Sequence, residues 1–267
     1  MSKINNANDP VANLLEIMDI MRNSKRPCQW TKAQSWQSLV RHTIEEAYEV
    51  ADAVERGNAN DLKTELADLL NQIIFYAQIA KEEGGFDFYD VVNYLTDKLI
   101  RRHPNVFADE LEDDVIQLER KWEEIKKQER KLKLQEKHSI LDEITQSMPS
   151  LSVANKLQTR ASQVGFDWRS RKEVFKQLHS EVDELNFALD NESDDEILAE
   201  IGDIMFACVN LIRHLRADPE QVMRKANHKF ERRFRYIEET LHKCGQSLED
   251  ASIDEMDKLW HKAKEFE

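Results

Sequence analysis

Eight acidic residues carry the strongest chemical signal in this chain. Glu46, Glu49, Glu65 and Asp68 form one set; Glu181, Glu184, Glu200 and Asp203 form another, each 135 residues after its counterpart. Within a set the acids come in two pairs spaced three residues apart, which puts both members on one helical face. Like charges so placed repel each other and resist desolvation. A solvated acidic surface would account for any single pair, but not for two pairs that face each other. Glu49 and Glu65 lie about equally far from the break at Gly57–Asn60, so an antiparallel hairpin sets them level, with Glu46 and Asp68 one turn further along. Four converging carboxylates call for a divalent cation. Oxygen ligands without His or Cys select a hard ion, Mg²⁺ or else Mn²⁺.

The elements that must position these acids are helices. With only 6 glycines and 5 prolines in 267 residues, long stretches rich in Glu, Lys, Leu and Ala run uninterrupted, and the fold class expected is all-α. "SLVRHTIEEAYEVADAVER" and "DLKTELADLLNQIIFYAQIAKEEGG" flank "GNAN" in the first copy; "VFKQLHSEVDELNFALD" and "EILAEIGDIMFACVNLIRHLRA" flank "NESDD" in the second. Gly supplies a left-handed stop, and Asn58 or Asn60 a cap. The small Ala67 and Gly202 behind the acids are expected to permit close helix approach. The returning helix is apolar all round at Leu66, Leu69, Leu70, Ile73, Ile74, Phe75, Tyr76 and Ile79, so it needs cover on every side. One hairpin cannot give that. Four-helix-bundle packing with the other repeat or with a second subunit is the expected completion, and homo-oligomerisation follows.

The repeat extends beyond the acids. "KLIRRH" from Lys98 matches "KFERRF" from Lys229, and "WEEIK" from Trp122 matches "WHKAK" from Trp260. Two tandem modules are expected at 1–126 and 149–267, joined by a charged linker at 127–148. Lys229 and Arg233, four apart, suit phosphate oxygens. Trp260 offers a flat wall for a base with Lys264 beside it. Lys98, Arg102, Trp122 and Lys126 are the first-copy counterparts.

Composition excludes several alternatives. Lys+Arg 38 against Asp+Glu 52 gives a net charge of −14, a poor match for a nucleic-acid polymer. A phosphorylated substrate would need cations to offset the repulsion. No 18-residue apolar run and no signal segment is present, and three cysteines without a C-x-x-C pair read as free thiols, Cys208 in the core; no membrane association and a cytoplasmic location are expected. There is no glycine-rich phosphate loop. A ferritin-like di-iron site needs two E-x-x-H motifs, and the one present, Glu239 to His242, lies outside the acidic sets. What remains is metal-assisted transfer of a phosphoryl or nucleotidyl group to water, or a non-catalytic nucleotide sensor or helical interaction scaffold.

The blocks "EEAYEV…ELADLL" and "SEVDEL…EIGDIM" resemble the E-E-x-x-E and E-x-x-D pattern of the MazG family, all-α nucleoside triphosphate pyrophosphohydrolases. "CQWTKAQS", "RRHPNVF", "VGFDW" and "KANHKFERRF" resemble blocks of its tandem-domain bacterial members, over nearly the whole chain. The resemblance implies Mg²⁺-dependent cleavage of nucleoside triphosphates, with broad base tolerance, to a monophosphate and pyrophosphate, in nucleotide-pool cleaning or stress metabolism. It also implies helical-bundle dimers. Residue by residue, it assigns metal binding and catalysis to Glu181, Glu184, Glu200 and Asp203, and nucleotide contacts to Lys229, Arg233, Trp260 and Lys264. The C-terminal copy is the usual catalytic one. One position departs from the pattern: Ser180 stands where the first copy has Glu45.

Overall fold

A computed structural model describes residues 9–107, 114–133, 139–142 and 144–266. Every regular element among them is a helix, and none is long and apolar enough to cross a membrane. The chain divides into two compact units, Met1–Lys133 and Leu134–Glu267. The first holds α1 (Pro10–Asn23), α2 (Gln29–Ala33), α3 (Trp36–Arg56), α4 (Ala59–Glu82), α5 (Phe88–Arg102), the single turn α6 (Pro104–Phe107) and α7 (Val115–Lys133). The second holds α8 (Ser150–Ser162), α9 (Arg171–Asn191), α10 (Asp194–His214), α11 (Pro219–Lys243) and α12 (Ile253–Lys264). Helix α7 runs unbroken across residue 126, the expected end of the first module. Part of the expected linker packs on the second unit, where Ile144 is buried and the Ile140 carbonyl accepts from Arg160 at 3.1 Å.

Local sequence chemistry sets the helix ends. Gly57, at φ 69°, closes α3 in the left-handed region that favours glycine, and the Asn58 side chain then caps α4 by accepting from the Asn60 and Asp61 amides. In the second hairpin Ser193 and Glu196 form a capping box at the start of α10. These two-residue connections make α3–α4 and α9–α10 antiparallel neighbours, the closest helix pairs in their units.

Helix α1 packs on α4 and α8 packs on α10. The two begin alike: "VAN" at Val11–Asn13 recurs at Val153–Asn155, and the Oδ1 atoms of Asn13 and Asn155 are both buried without a hydrogen-bond partner. The repeat therefore includes this helix as well.

The first unit's core gathers Met18, Leu39, Ile74, Phe75 and Ile79, with Leu14, Leu15, Tyr76 and Phe88 against it. Beside it Arg22, almost fully buried, makes a two-pronged ion pair with Glu82 and donates to the Thr31 carbonyl. The Arg22 guanidinium holds the Glu82 carboxyl far below the usual range, at about 2, helped by Gln78 and Asn23. The folded state favours the ionised carboxylate. The pair's contribution to stability is therefore complete above the ordinary value of 4.5 and disappears as pH falls toward 2. Denaturant titrations between pH 5 and 2.5 should show the first unit weakening with falling pH, and Glu82→Gln should flatten that dependence. An identical slope in the variant would refute the assignment.

The apolar ring of α4 is covered on one flank only among the described residues. Ile74, Phe75 and Ile79 are buried, whereas Leu66, Leu70 and Ile73 are exposed, as are Val40, Ile44 and Tyr48 on α3. Leu198, Ile201 and Met205 on α10 are exposed in the same way. Gly202 does not mark a close helix approach among the described residues: an added Cβ there would meet none of their atoms within 4 Å.

Candidate functional site

The hairpins bring the acids together as their spacing predicts, with one qualification. Carboxylate oxygens of Glu46, Glu49 and Glu65 lie within 4.8 Å of one another in the first unit, and those of Glu181, Glu184 and Glu200 do so in the second. Asp68 and Asp203 are not members of these tight triads. They stand close enough to act on them, since the Asp68 charge helps raise the Glu46 and Glu65 carboxyls and the Asp203 charge helps raise Glu200. Burial is the larger cause in all three cases.

The second site tests well for a cation. Glu200 keeps one carboxylate oxygen, Oε2, buried and without a hydrogen-bond partner. A side chain that keeps one carboxylate oxygen buried and unpartnered while standing against two further carboxylates is poorly satisfied by protein alone, and a hard divalent ion held by the three would offset the repulsion. The neighbouring acids are held in place by polar neighbours. Gln177 donates to Glu181 at 2.6 Å, and the Ser180 hydroxyl donates to Glu184 at 3.1 Å. The departure at Ser180 thus replaces a like charge with a donor that steadies a ligand. In the first unit Gln72 reaches Glu46 only at 3.5 Å.

Glu181 and Asp203 also line a cleft of about 630 Å³. Helix α8 supplies Leu157, Gln158 and Ala161, and α10 supplies Phe206, Ala207, Asn210 and Arg213. The loop Gly165–Trp168 closes one side. Asp167 fastens that loop to α10 by accepting from both terminal nitrogens of Arg213, and it contacts His214 at 3.1 Å. The quoted "VGFDW" block pointed to this loop. Gln158, Asn210 and Arg213 carried no sequence signal, because each is an unremarkable polar residue on an amphipathic helix.

The first unit carries different side chains at several equivalent positions. At the same 135-residue spacing, Val174, Ala207, Val209 and Asn210 correspond to Leu39, Gln72, Ile74 and Phe75. Each of these is larger in the first unit, and all four first-unit residues are buried. Phe75 meets Trp30 edge-on at 6.4 Å, and the Arg22 guanidinium lies 5.3 Å from its ring centre. Of the second-unit residues, Val174, Ala207 and Asn210 line the cleft; Phe206, also on its lining, is larger than its first-unit counterpart Asn71.

The expected clamp residues form a separate group on α11 and α12. Arg233 lies 5.2 Å from the Trp260 ring centre, and Phe230 packs on Trp260 at 5.2 Å. Lys229 and Lys264 are exposed. None of Lys229, Arg233, Trp260 and Lys264 lines the cleft that Glu181 and Asp203 share. In the first unit Arg101 and Arg102 both bind Glu129 of α7, whose carboxyl they hold at about 2. Lys126 lies 3.6 Å from the Trp122 ring centre.

Comparison with known proteins agrees with this duplicated arrangement. The domain described as "MazG nucleotide pyrophosphohydrolase domain" matches residues 34–107 and 169–237. The Escherichia coli K12 nucleoside triphosphate pyrophosphohydrolase is 42% identical over 256 residues, covering 95% of this chain and 97% of that protein. Thermotoga maritima nucleoside triphosphate pyrophosphohydrolase/pyrophosphatase MazG is 42% identical, covering 93% and 94%. Bacillus subtilis YabN is 39% identical over 93% of this chain and 51% of its own length. With two facing acid sets, two helical hairpins and these matches across nearly its whole length, the chain belongs to the MazG family of nucleotide pyrophosphohydrolases and carries two copies of its domain.

Proposed function

We propose that this protein hydrolyses nucleoside triphosphates, ribo- or deoxyribo- and of any common base, to a nucleoside monophosphate and pyrophosphate with Mg²⁺, and that the second copy does the work. The observation that carries this is the coincidence, in one unit, of a carboxylate triad with an unpartnered buried oxygen and a cleft of nucleotide size. Glu181, Glu184 and Glu200 would hold the ion, with Asp203 at its margin. When bound, Mg²⁺ supplies charge neutralisation and polarisation at the phosphates. Gln177 and Ser180 keep Glu181 and Glu184 oriented, so little reorganisation is needed during reaction. The apolar cleft takes the nucleoside, and the polyphosphate runs past the acids toward solvent, where Lys229, Arg233 and Lys264 are the cations suited to meet it. A role in cleaning the nucleotide pool or in stress metabolism, in the cytoplasm, fits this chemistry. Release of pyrophosphate from a panel of nucleoside triphosphates with Mg²⁺ tests the reading; no release from any of them would refute it in favour of a nucleotide-binding sensor.

The exposed apolar flanks of the two hairpins support a homodimer, because a second copy offers each flank its own equivalent in a closed two-fold arrangement. Sedimentation at micromolar concentration should give twice the chain mass. A species of single-chain mass throughout would count against it.

A further inference from the structure

The second unit's cleft has a wall that the duplicated hairpins do not supply. Among the described residues that line it, all but Leu141 come from α8, the loop 165–168, α9 and α10. Leu141 precedes them, in the stretch expected as a linker and outside both matched domain copies. Its segment is fixed in place. The Asp142 carboxylate accepts from the Ser139 amide at 2.9 Å, the Ser139 carbonyl accepts from the Asp142 amide at 3.1 Å, and the Ser139 hydroxyl oxygen accepts from the Leu141 amide at 3.2 Å. These bonds close a tight turn over residues 139–142. Arg160 of α8 holds the turn through the Ile140 carbonyl, and Ile144, 6% exposed, anchors the chain beyond it. Leu141 keeps 40% of its surface exposed and Ile140 45%, yet of the two only Leu141 lines the cleft. A single exposed apolar side chain is ordinary on any protein surface. One fixed on the lining of an open cleft is placed to be covered by whatever enters, and covering it is favourable.

We infer that Leu141 is a substrate-contacting residue: its side chain packs on the nucleoside of a nucleotide bound in the cleft, and the turn 139–142 is part of the substrate site. The inference rests on the nucleotide reading above and names a residue on the nucleoside side of the site. Glu181 and Asp203 reach the lining from α9 and α10, and a cation held by the acids is the partner for phosphate. Arg160 fastens the turn to α8, whose Leu157 and Ala161, four apart, give the lining an apolar face. A leucine tied to that helix has nothing to offer phosphate oxygens and suits a base ring or sugar edge. Dispersion and burial favour every base about equally, so the contact adds affinity without choosing among bases.

Calorimetric titration of the full-length protein with Mg²⁺ and the α,β-methylene analogue of ATP reads the contact without turnover. Leu141→Ala should weaken binding about tenfold, and Leu141→Met, which keeps the volume, should stay within about twofold of wild type. Ile140→Ala alters the same turn off the lining and should also stay within about twofold. In steady state Leu141→Ala should raise KM for ATP about tenfold with kcat within about twofold, since a contact to the nucleoside is made equally in the ground and transition states. Equal affinities of wild type and Leu141→Ala would overturn the inference. An equal loss in Ile140→Ala would overturn it too, by assigning the effect to the turn as a whole. Pyrophosphate release from ATP by the wild type judges the proposed reaction separately. Binding that depends on Leu141 without release would refute the reaction and keep the contact; release with no change in Leu141→Ala would refute the contact alone. Absence of both binding and release in the wild type would refute the two together.

Discussion

Asp203→Ala is expected to lower pyrophosphate release by on the order of 10³-fold, whereas Asp68→Ala should leave it within about twofold. A hard cation at the phosphates supplies several kcal/mol of charge stabilisation, and each ~1.4 kcal/mol is a factor of about ten in rate. Asp203 both lines the cleft and acts electrostatically on Glu200, so it stands where the cleft and the acid triad meet. Asp68 stands beside a triad too, but the positions equivalent to Val174, Ala207 and Asn210 of the cleft carry the larger, buried Leu39, Gln72 and Phe75. The loss in Asp203→Ala should not come from unfolding. The residue is exposed, and its charge adds to the strain on Glu200, so alanine relieves repulsion in the metal-free protein. Steady-state release of pyrophosphate from both variants, with circular dichroism as the folding control, decides the matter. Full activity in Asp203→Ala would remove the second site from the chemistry. Loss in Asp68→Ala alone would move the chemistry to the first copy.

Phe75→Ala should cost the first unit about 3–5 kcal/mol, the usual range for removing a buried aromatic ring from a packed core. Phe75 is 2% exposed and packs with Met18, Leu39, Ile74 and Ile79, under the Arg22 guanidinium. Truncation leaves a void whose lining is fixed by the Arg22–Glu82 pair on one side and Trp30 on another, so little collapse can fill it. The melting transition of this unit should fall by roughly 10–20 °C. Hydrogen exchange should locate the loss in α1, α3 and α4, with α8–α12 unchanged. A shift of under about 1 kcal/mol would show that Phe75 is not the plug described here.

Much of this protein follows from local rules that act over a few residues. The hairpin turns could be read because Gly57 with Asn58, and the polar run "NESDD", have few other uses at a break between helices. The acid triads could be read because a period of 3.6 residues and a short antiparallel turn leave Glu46, Glu49 and Glu65 nowhere else to point. The repeat doubled each of these signals. The expectation for Gly202 failed, since a glycine can have a close contact or none, and its neighbours in sequence do not say which. Sequence spacing named Lys229, Arg233, Trp260 and Lys264, and their absence from the cleft's lining depends on how α11 and α12 pack.

The sequence by itself determined the all-α class, the two hairpins and the convergence of carboxylates, all of them consequences of short-range periodicity and capping. Only the tertiary structure revealed the cleft that Glu181 and Asp203 share. Its shape depends on side-chain volumes at Val174, Phe206, Ala207 and Asn210, on two different helices. Their sum becomes a cleft only when those helices pack beside α8 and the Asp167 loop. The same packing leaves Gln158 Oε1 and Arg213 Nε buried without a hydrogen-bond partner among the described residues, a property of three-dimensional surroundings that neither residue carries in its own name.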